Sequence, residues 1–264
     1  MPRRVESSFT ATVLEPAKVE LQVAVAGRPA EELLEVSLDG RPLAVTEHAT
    51  TAGGRLHLCS APPGELAVRY RATVDGAADP VPVDPLDAST YLRPSRYAES
   101  DRLAAVAHAE LGHVRGAAER APAVAAWVGT RLQYVPGASA PTDGAVETLL
   151  TRQGVCRDYA HLCVALLRAL DVPARLVSVY APGLSPMDFH AVTEALVDGA
   201  WVVVDATLLA PRSSLVRIAT GRDAADTAFL TTTGGSVAFQ RLEVGAVVDG
   251  DLPADDPAVL VALR

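Results

Sequence analysis

The chain has 264 residues, 49% of them apolar and 21% charged, and carries a net charge of −9. That is enough apolar material for one large core or two ordinary ones, and the acidic balance excludes nucleic acid as the main partner, because phosphate binding needs clustered Lys and Arg. The 3 cysteines, an odd number, make no disulfide framework.

No apolar stretch follows Met1-Pro2-Arg3-Arg4, and no run approaches the ~20 apolar residues of a membrane span. The expected setting is therefore a reducing cytoplasm with no membrane partner.

Residues 1–90 pattern as strands. Val19 to Val25 alternates apolar and polar side chains, the period of a half-buried strand. Leu34 to Leu38 runs into Asp39-Gly40, a hairpin turn signal, and Arg55 to Leu58 and Leu66 to Val74 continue the pattern. Strands at this spacing predict a small β-sandwich or barrel. Pro80, Pro82, Pro85 and Pro94 mark a linker.

A helical segment opens at Ser100-Asp101 and runs through Ala118, and a second is predicted from Ala123 to Leu132, entered at Pro122. Thr148 to Leu150 reads as a short helical turn. Cys156 to Leu170 is the strongest helix, with Tyr159, Leu162, Cys163, Leu166, Leu167 and Leu170 on one face. Asp171-Val172-Pro173 ends it. Three strand-like runs follow: Arg175 to Tyr180, Ala191 to Val197 and Trp201 to Asp205. The last two are joined by the hairpin signal Asp198-Gly199. Another strand is predicted within Ser236 to Val247, and the acidic pairs Asp249/Asp251 and Asp255/Asp256 read as solvated loop.

Gly154 stands just before a cysteine that opens a helix. The N–H groups and dipole at a helix start favour an anion, hence a thiolate at Cys156, and the same N–H groups can stabilise an oxyanion. A buried structural cysteine is the other reading. His190 begins a strand after loop 182–188. An imidazole there can face a helix start across a cleft, take the thiol proton and later give it to a leaving group. Asp205 ends the apolar run Trp201 to Val204 on the partner strand of the hairpin. Antiparallel pairing can set it beside His190, and a carboxylate at the end of a buried strand needs a partner.

Other polar motifs are weaker. Cys156, His161 and Cys163 lack zinc-site spacing, and the sequence has no CxxC pair and no Gly-rich phosphate loop, so neither a metal nor a cofactor is expected. Cys163 reads as core, Cys59 has no partner motif, and Asp158 favours the helix start. Ser185 lacks the glycines of a nucleophile elbow.

The order Cys, His, Asp, with Gly154-Val155-Cys156-Arg157-Asp158-Tyr159-Ala160-His161-Leu162, Asp188-Phe189-His190-Ala191 and Trp201 to Thr207, resembles the bacterial transglutaminase-like superfamily. Tyr91 to Tyr97 and Gly221 to Asp226 are similar to stretches that flank this core in two-domain members. The resemblance covers about Tyr91 to the end and, more loosely, the β region. It implies an α+β protein: an N-terminal β-sandwich or barrel over 1–90, then a papain-like transglutaminase core over 91–264, with helices packed on an antiparallel sheet. It implies Cys156 as nucleophile, His190 as base and Asp205 as orienting carboxylate. The Cys156 backbone N–H would serve the oxyanion site, beside a second donor the sequence does not identify.

One departure is visible. Members often carry Trp two residues after the histidine, then Val; here Val192 and Thr193 stand there, with Glu194 retained. The implied activity is acyl transfer through a thioester, most readily hydrolysis of a peptide or carboxamide by a protease or amidase. The alternatives are an amide-forming acyltransferase on a protein or small molecule, and a non-catalytic binding or scaffolding module of the same fold. The expected partner is a peptide, protein or small-molecule amide, and the sequence sets no oligomeric state.

Overall fold

A computed structural model describes residues 1–76 and 79–263 of the chain. The first half of the elements are β1 (Arg3–Val13), β2 (Ala17–Leu21), β3 (Glu31–Leu38), β4 (Arg41–Pro42), β5 (Thr46–Ala49), β6 (Arg55–Ala61), β7 (Gly64–Val74), α1 (Asp87–Tyr91), α2 (Ser100–Leu111) and α3 (Ala117–Arg131). Then come β8 (Gln133–Tyr134), α4 (Ala145–Thr151), β9 (Gln153–Gly154), α5 (Cys156–Ala169), β10 (Ala174–Tyr180), β11 (Phe189–Val197) and β12 (Ala200–Val204). The chain ends with β13 (Val216–Gly221), α6 (Ala224–Thr227), β14 (Leu230–Thr233) and β15 (Val237–Val248).

The N-terminal region is a sandwich. Strand alternation puts Val5, Phe9, Ala11 and Val13 of β1 inward, and β1 pairs with β7 without a slip from Arg3↔Val74 to Val13↔Gly64. The sheets run β15-β1-β7-β3-β4 and β14-β2-β6-β5. Val5, Phe9, Val19, Leu21, Leu66 and Val68 fill the space between them. The strand expected over Val19 to Val25 stops at Leu21, where the Gln22 N–H turns to the Phe229 carbonyl at 3.0 Å and the Val25 N–H to the Tyr70 hydroxyl at 3.1 Å. A division at residue 90 does not describe these sheets. β15 pairs with β1 and β14 with β2, so residues 230–248 return to the sandwich and cover strand edges that would otherwise be open.

The second half packs helices on the antiparallel sheet β12-β11-β10-β13. The expected helix from Ser100 to Ala118 is broken. A Cβ at Gly112 would meet the His108 carbonyl oxygen at 2.4 Å, and Gly116, at φ 77°, starts α3 in a conformation other residues avoid. Pro122 lies inside α3 instead of opening it. Helix α5 was expected to bury one face. Every residue from Asp158 to Arg168 is buried, because the sheet lies on one side and α2, α3 and α4 on the other. Its Arg168 survives burial by bonding four acceptors: the carbonyls of Ala174 (2.9 Å), Arg93 (2.9 Å) and Arg222 (2.6 Å) and the Ser95 hydroxyl (3.0 Å).

The tail crosses back over the sheet. The Val203 N–H on edge strand β12 donates to the Val261 carbonyl at 2.7 Å, and Leu263 is buried beside Val192 and Val203. Asp255, expected in solvated loop, instead takes a two-pronged bond from the Arg212 guanidinium at 2.9 and 3.0 Å.

The sandwich core extends into the second half. Tyr180 of β10 and Val216 and Ile218 of β13 belong to the sandwich's apolar cluster. Phe189 packs on Phe229 (centroids 5.3 Å apart), and Phe229 on Phe9 (5.7 Å). The Tyr180 hydroxyl donates to the Val23 carbonyl at 2.8 Å and accepts from Ser7 at 2.9 Å. Tyr180→Phe leaves both partners buried and unpaired, so stability is expected to fall by about 1–3 kcal/mol in urea unfolding, through a single transition. Two separate transitions would show that the halves fold independently.

Candidate active site

Cys156 is the first residue of α5 and is half-buried. Its approach is built by Asp158. That carboxylate accepts the Val155 N–H at 2.8 Å and the Ser139 hydroxyl at 2.5 Å, and the Arg157 guanidinium lies 2.8 Å from it. Arg157 also reaches Ser139 Oγ and the Ala140 carbonyl, each at 3.0 Å. Asp158 thus does more than favour the helix start: it ties loop 139–140 to the residue before the thiol. Gly154 is required by this packing, since a Cβ there would lie 2.6 Å from Cβ of Asp158.

His190 stands on β11 and Asp205 just beyond β12. The Asp198-Gly199 turn has φ 49° and 80°, the type I′ signature, and it sets the register Thr193↔Val204. His190 therefore faces the loop after β12 and not a strand residue. In that loop His190 Nε2 is 3.2 Å from Asp205 Oδ2, with both side chains buried. The other carboxylate oxygen accepts the Thr207 N–H at 2.8 Å and the Thr207 hydroxyl at 2.7 Å. Helix α3 presses on the same loop through Gly129, where a Cβ would lie 2.7 Å from the Ala206 carbonyl oxygen.

The charges in this cluster support one another. Burial opposes the His190 cation, but the hydrogen bond to Asp205 and the influence of the neighbouring Cys156 push its pKa up to about 10. Burial likewise opposes the Asp205 carboxylate, and the bonds from His190 and Thr207 hold it below its ordinary range all the same. With Nε2 taken by Asp205, Nδ1 is the ring nitrogen left without a hydrogen-bond partner.

The remaining residues of interest lie elsewhere. Cys163 is buried, and desolvation followed by the Asp205 charge pushes its thiol up; burial does the same to Cys59. His161 is stacked on Tyr97 (5.3 Å), accepts the Ala224 N–H at 3.1 Å and is driven down to about 4, chiefly by burial, so it stays neutral. Val192 is buried in apolar packing, and the Thr193 hydroxyl donates to the Ala160 carbonyl of α5 at 3.0 Å. Glu194 is locked between Arg175 (2.7 Å) and Arg217 (2.6 Å). Among the described residues, no group of three or more His, Cys, Asp or Glu is placed to hold a metal ion, and no helix is long and apolar enough to cross a membrane. Sequence reasoning missed Tyr134, whose ring lies 5.9 Å from Tyr159 and which pairs with Gly154 just ahead of Cys156. Its signal was faint: one aromatic residue in a short polar run.

The chain is similar to known proteins. The transglutaminase-like superfamily model matches residues 104–206, which contain Cys156, His190 and Asp205. A candidate cysteine protease from Cytophaga hutchinsonii is 32% identical, with a TM-score of 0.89 over 97% of this chain and 94% of that one. An uncharacterized protein of Mycobacterium leprae is 38% identical over 58 residues, a match that spans 22% of this chain and only 21% of that protein. The periplasmic domain of TgpA from Pseudomonas aeruginosa is 19% identical, with a TM-score of 0.40 over 78% of this chain and 90% of that domain.

The raised His190 pKa has a definite sign. Its contribution to stability is fully present below the unfolded value of about 6.5 and is lost as pH rises through about 10. NMR titration is expected to show His190 protonated through neutral pH. In Asp205→Asn the midpoint should fall by roughly 1–3 pH units. A wild-type midpoint near the ordinary imidazole value would contradict this balance.

Proposed function

The chain belongs to the transglutaminase-like superfamily, and we propose that it is a cysteine hydrolase of peptides or carboxamides. One observation carries this reading: a half-buried thiol at the start of a helix, set beside a buried imidazole that a carboxylate holds 3.2 Å away. The Cys156 thiolate attacks the carbonyl carbon, forming the C–S bond as the C=O electron pair moves to oxygen. As that pair returns, the C–N bond breaks and the His190 imidazolium gives its proton to the departing amine. Water then loses a proton to His190 and attacks the thioester carbon, and as the C=O pair returns the C–S bond breaks, releasing the acid and restoring the thiolate beside the imidazolium. Asp205 orients the ring and stabilises its cation. The cysteine-protease description of the Cytophaga protein supports hydrolysis as the outcome, and an amine competing with water would divert the same thioester to transfer.

The test is to incubate the protein with a library of peptides and carboxamides and read the mass adduct on Cys156. Adducts are expected in the wild type and none in Cys156→Ala. In His190→Ala the acylation rate should be lower by about 10²–10⁴-fold. If no adduct forms and iodoacetamide labels Cys156 no faster than a free thiol, the chain is a binding module of this fold and the proposal fails.

A further inference from the structure

The segment after β15 is pinned against the hairpin that carries His190 and Asp205. Strand β12 is an edge of its sheet, and an open edge leaves main-chain groups unpaired. Here the Val203 N–H is taken by the Val261 carbonyl at 2.7 Å. Two further contacts hold the segment down. Arg212 donates its main-chain N–H to Asp255 at 3.0 Å, and its guanidinium grips the same carboxylate and the Asp256 carbonyl at 2.9 and 2.6 Å. Leu252 packs on the loop ahead of His190 at Gly183, where a Cβ would lie 2.9 Å from Leu252 Cδ1.

These anchors deliver Leu263 to the sheet. It is 4% exposed and lies in one apolar cluster with Val192 of β11 and Val203 of β12. Val192 stands two residues after His190, and Val203 two before Asp205. Strand β11 pairs with β10 without a slip, so His190 and Val192 share a face. The bond between His190 and Asp205 spans two neighbouring strands, and its length depends on how those strands sit against each other. A leucine packed on both opposes their relative movement, because close-packed interiors transmit strain.

We propose that Leu263 is a positioning residue: held by the strap 252–263, it wedges β11 and β12 at the separation that His190 and Asp205 need. The inference rests on His190 serving Cys156 as its base, as proposed above. Leu263 touches no substrate and moves no proton. It acts through Val192 and Val203, and truncating it leaves a cavity into which the two strands relax.

Two readings of the site separate this role from a merely structural one. The His190 titration midpoint is followed by NMR, and the rate of iodoacetamide labelling at Cys156 by mass. Both are measured on wild type, Leu263→Ala, Leu263→Met and Leu66→Ala, at a temperature where thermal unfolding shows each to be folded. Leu66 is a fully buried leucine of the sandwich, so its truncation costs stability away from the site. In Leu263→Ala the midpoint is expected to fall by about 1 pH unit or more as the hold of Asp205 weakens. Labelling should slow by about 10-fold or more, toward the roughly hundredfold cost of a misplacement of about 1 Å. Leu263→Met, which conserves volume, and Leu66→Ala should both match the wild type. Should Leu263→Ala not fold, Asp255→Asn, which loosens the strap and leaves the leucine in place, is expected to move both readings in the same direction. Readings that hold in Leu263→Ala, or in Asp255→Asn where it takes that place, would overturn the assignment, as would an equal change in Leu66→Ala. A wild-type Cys156 that labels no faster than a free thiol would instead overturn the reading of the site beneath it.

Discussion

A charged imidazole with 1% of its surface exposed sits at the centre of this protein. Burial by itself would strip the proton from it. The Asp205 carboxylate at 3.2 Å and the neighbouring Cys156 reverse that balance. The arrangement works only if three groups on separate elements keep their spacing, because a displacement of about 1 Å in such a cluster can cost roughly a hundredfold in rate. Most of the architecture around the site can be understood as fixing that spacing.

Each group is held from behind. Cys156 is placed by the Asp158 carboxylate, which binds the Val155 N–H and the Ser139 hydroxyl and leaves room for nothing larger than Gly154. Asp205 is placed by Thr207 on one oxygen and His190 on the other, with α3 pressed against its loop through Gly129. His190 follows Phe189, and Phe189 is packed into the aromatic cluster of the sandwich. The sandwich holds the strand that carries the base, which gives it a structural part in the site without any chemistry of its own.

Other buried charges show by contrast what sets the site apart. Glu194 lies between Arg175 and Arg217, and Arg175 is stacked 3.8 Å over the Trp201 ring. Burial opposes its charge, yet the two guanidinium groups hold it below the ordinary carboxylate range. All of its bonding capacity faces other protein groups, so it locks β10, β11 and β13 together and has nothing to offer a substrate. The candidate site differs because one member, the Cys156 thiol, is only half-buried. A closed network of charges builds structure, whereas one left open on a single side can do chemistry.

Local signals determined a good deal on their own. The strand patterns of β6 and β7, the turns at Asp39-Gly40 and Asp198-Gly199, and the start of α5 at Cys156 follow from short-range rules of side-chain period and backbone angle, and those rules do not depend on distant residues. The order Cys156, His190, Asp205 and the hairpin between the last two were legible for the same reason. Tertiary structure decided what depends on partners far along the chain. It brought β14 and β15 back to β2 and β1, buried α5 on every side, and paired Asp255 with Arg212. It also set Tyr134 beside Gly154, just ahead of Cys156, through a strand pair of two residues, too short to leave a periodic trace in sequence. Periodicity states which face of an element is apolar, but only packing settles what that face meets.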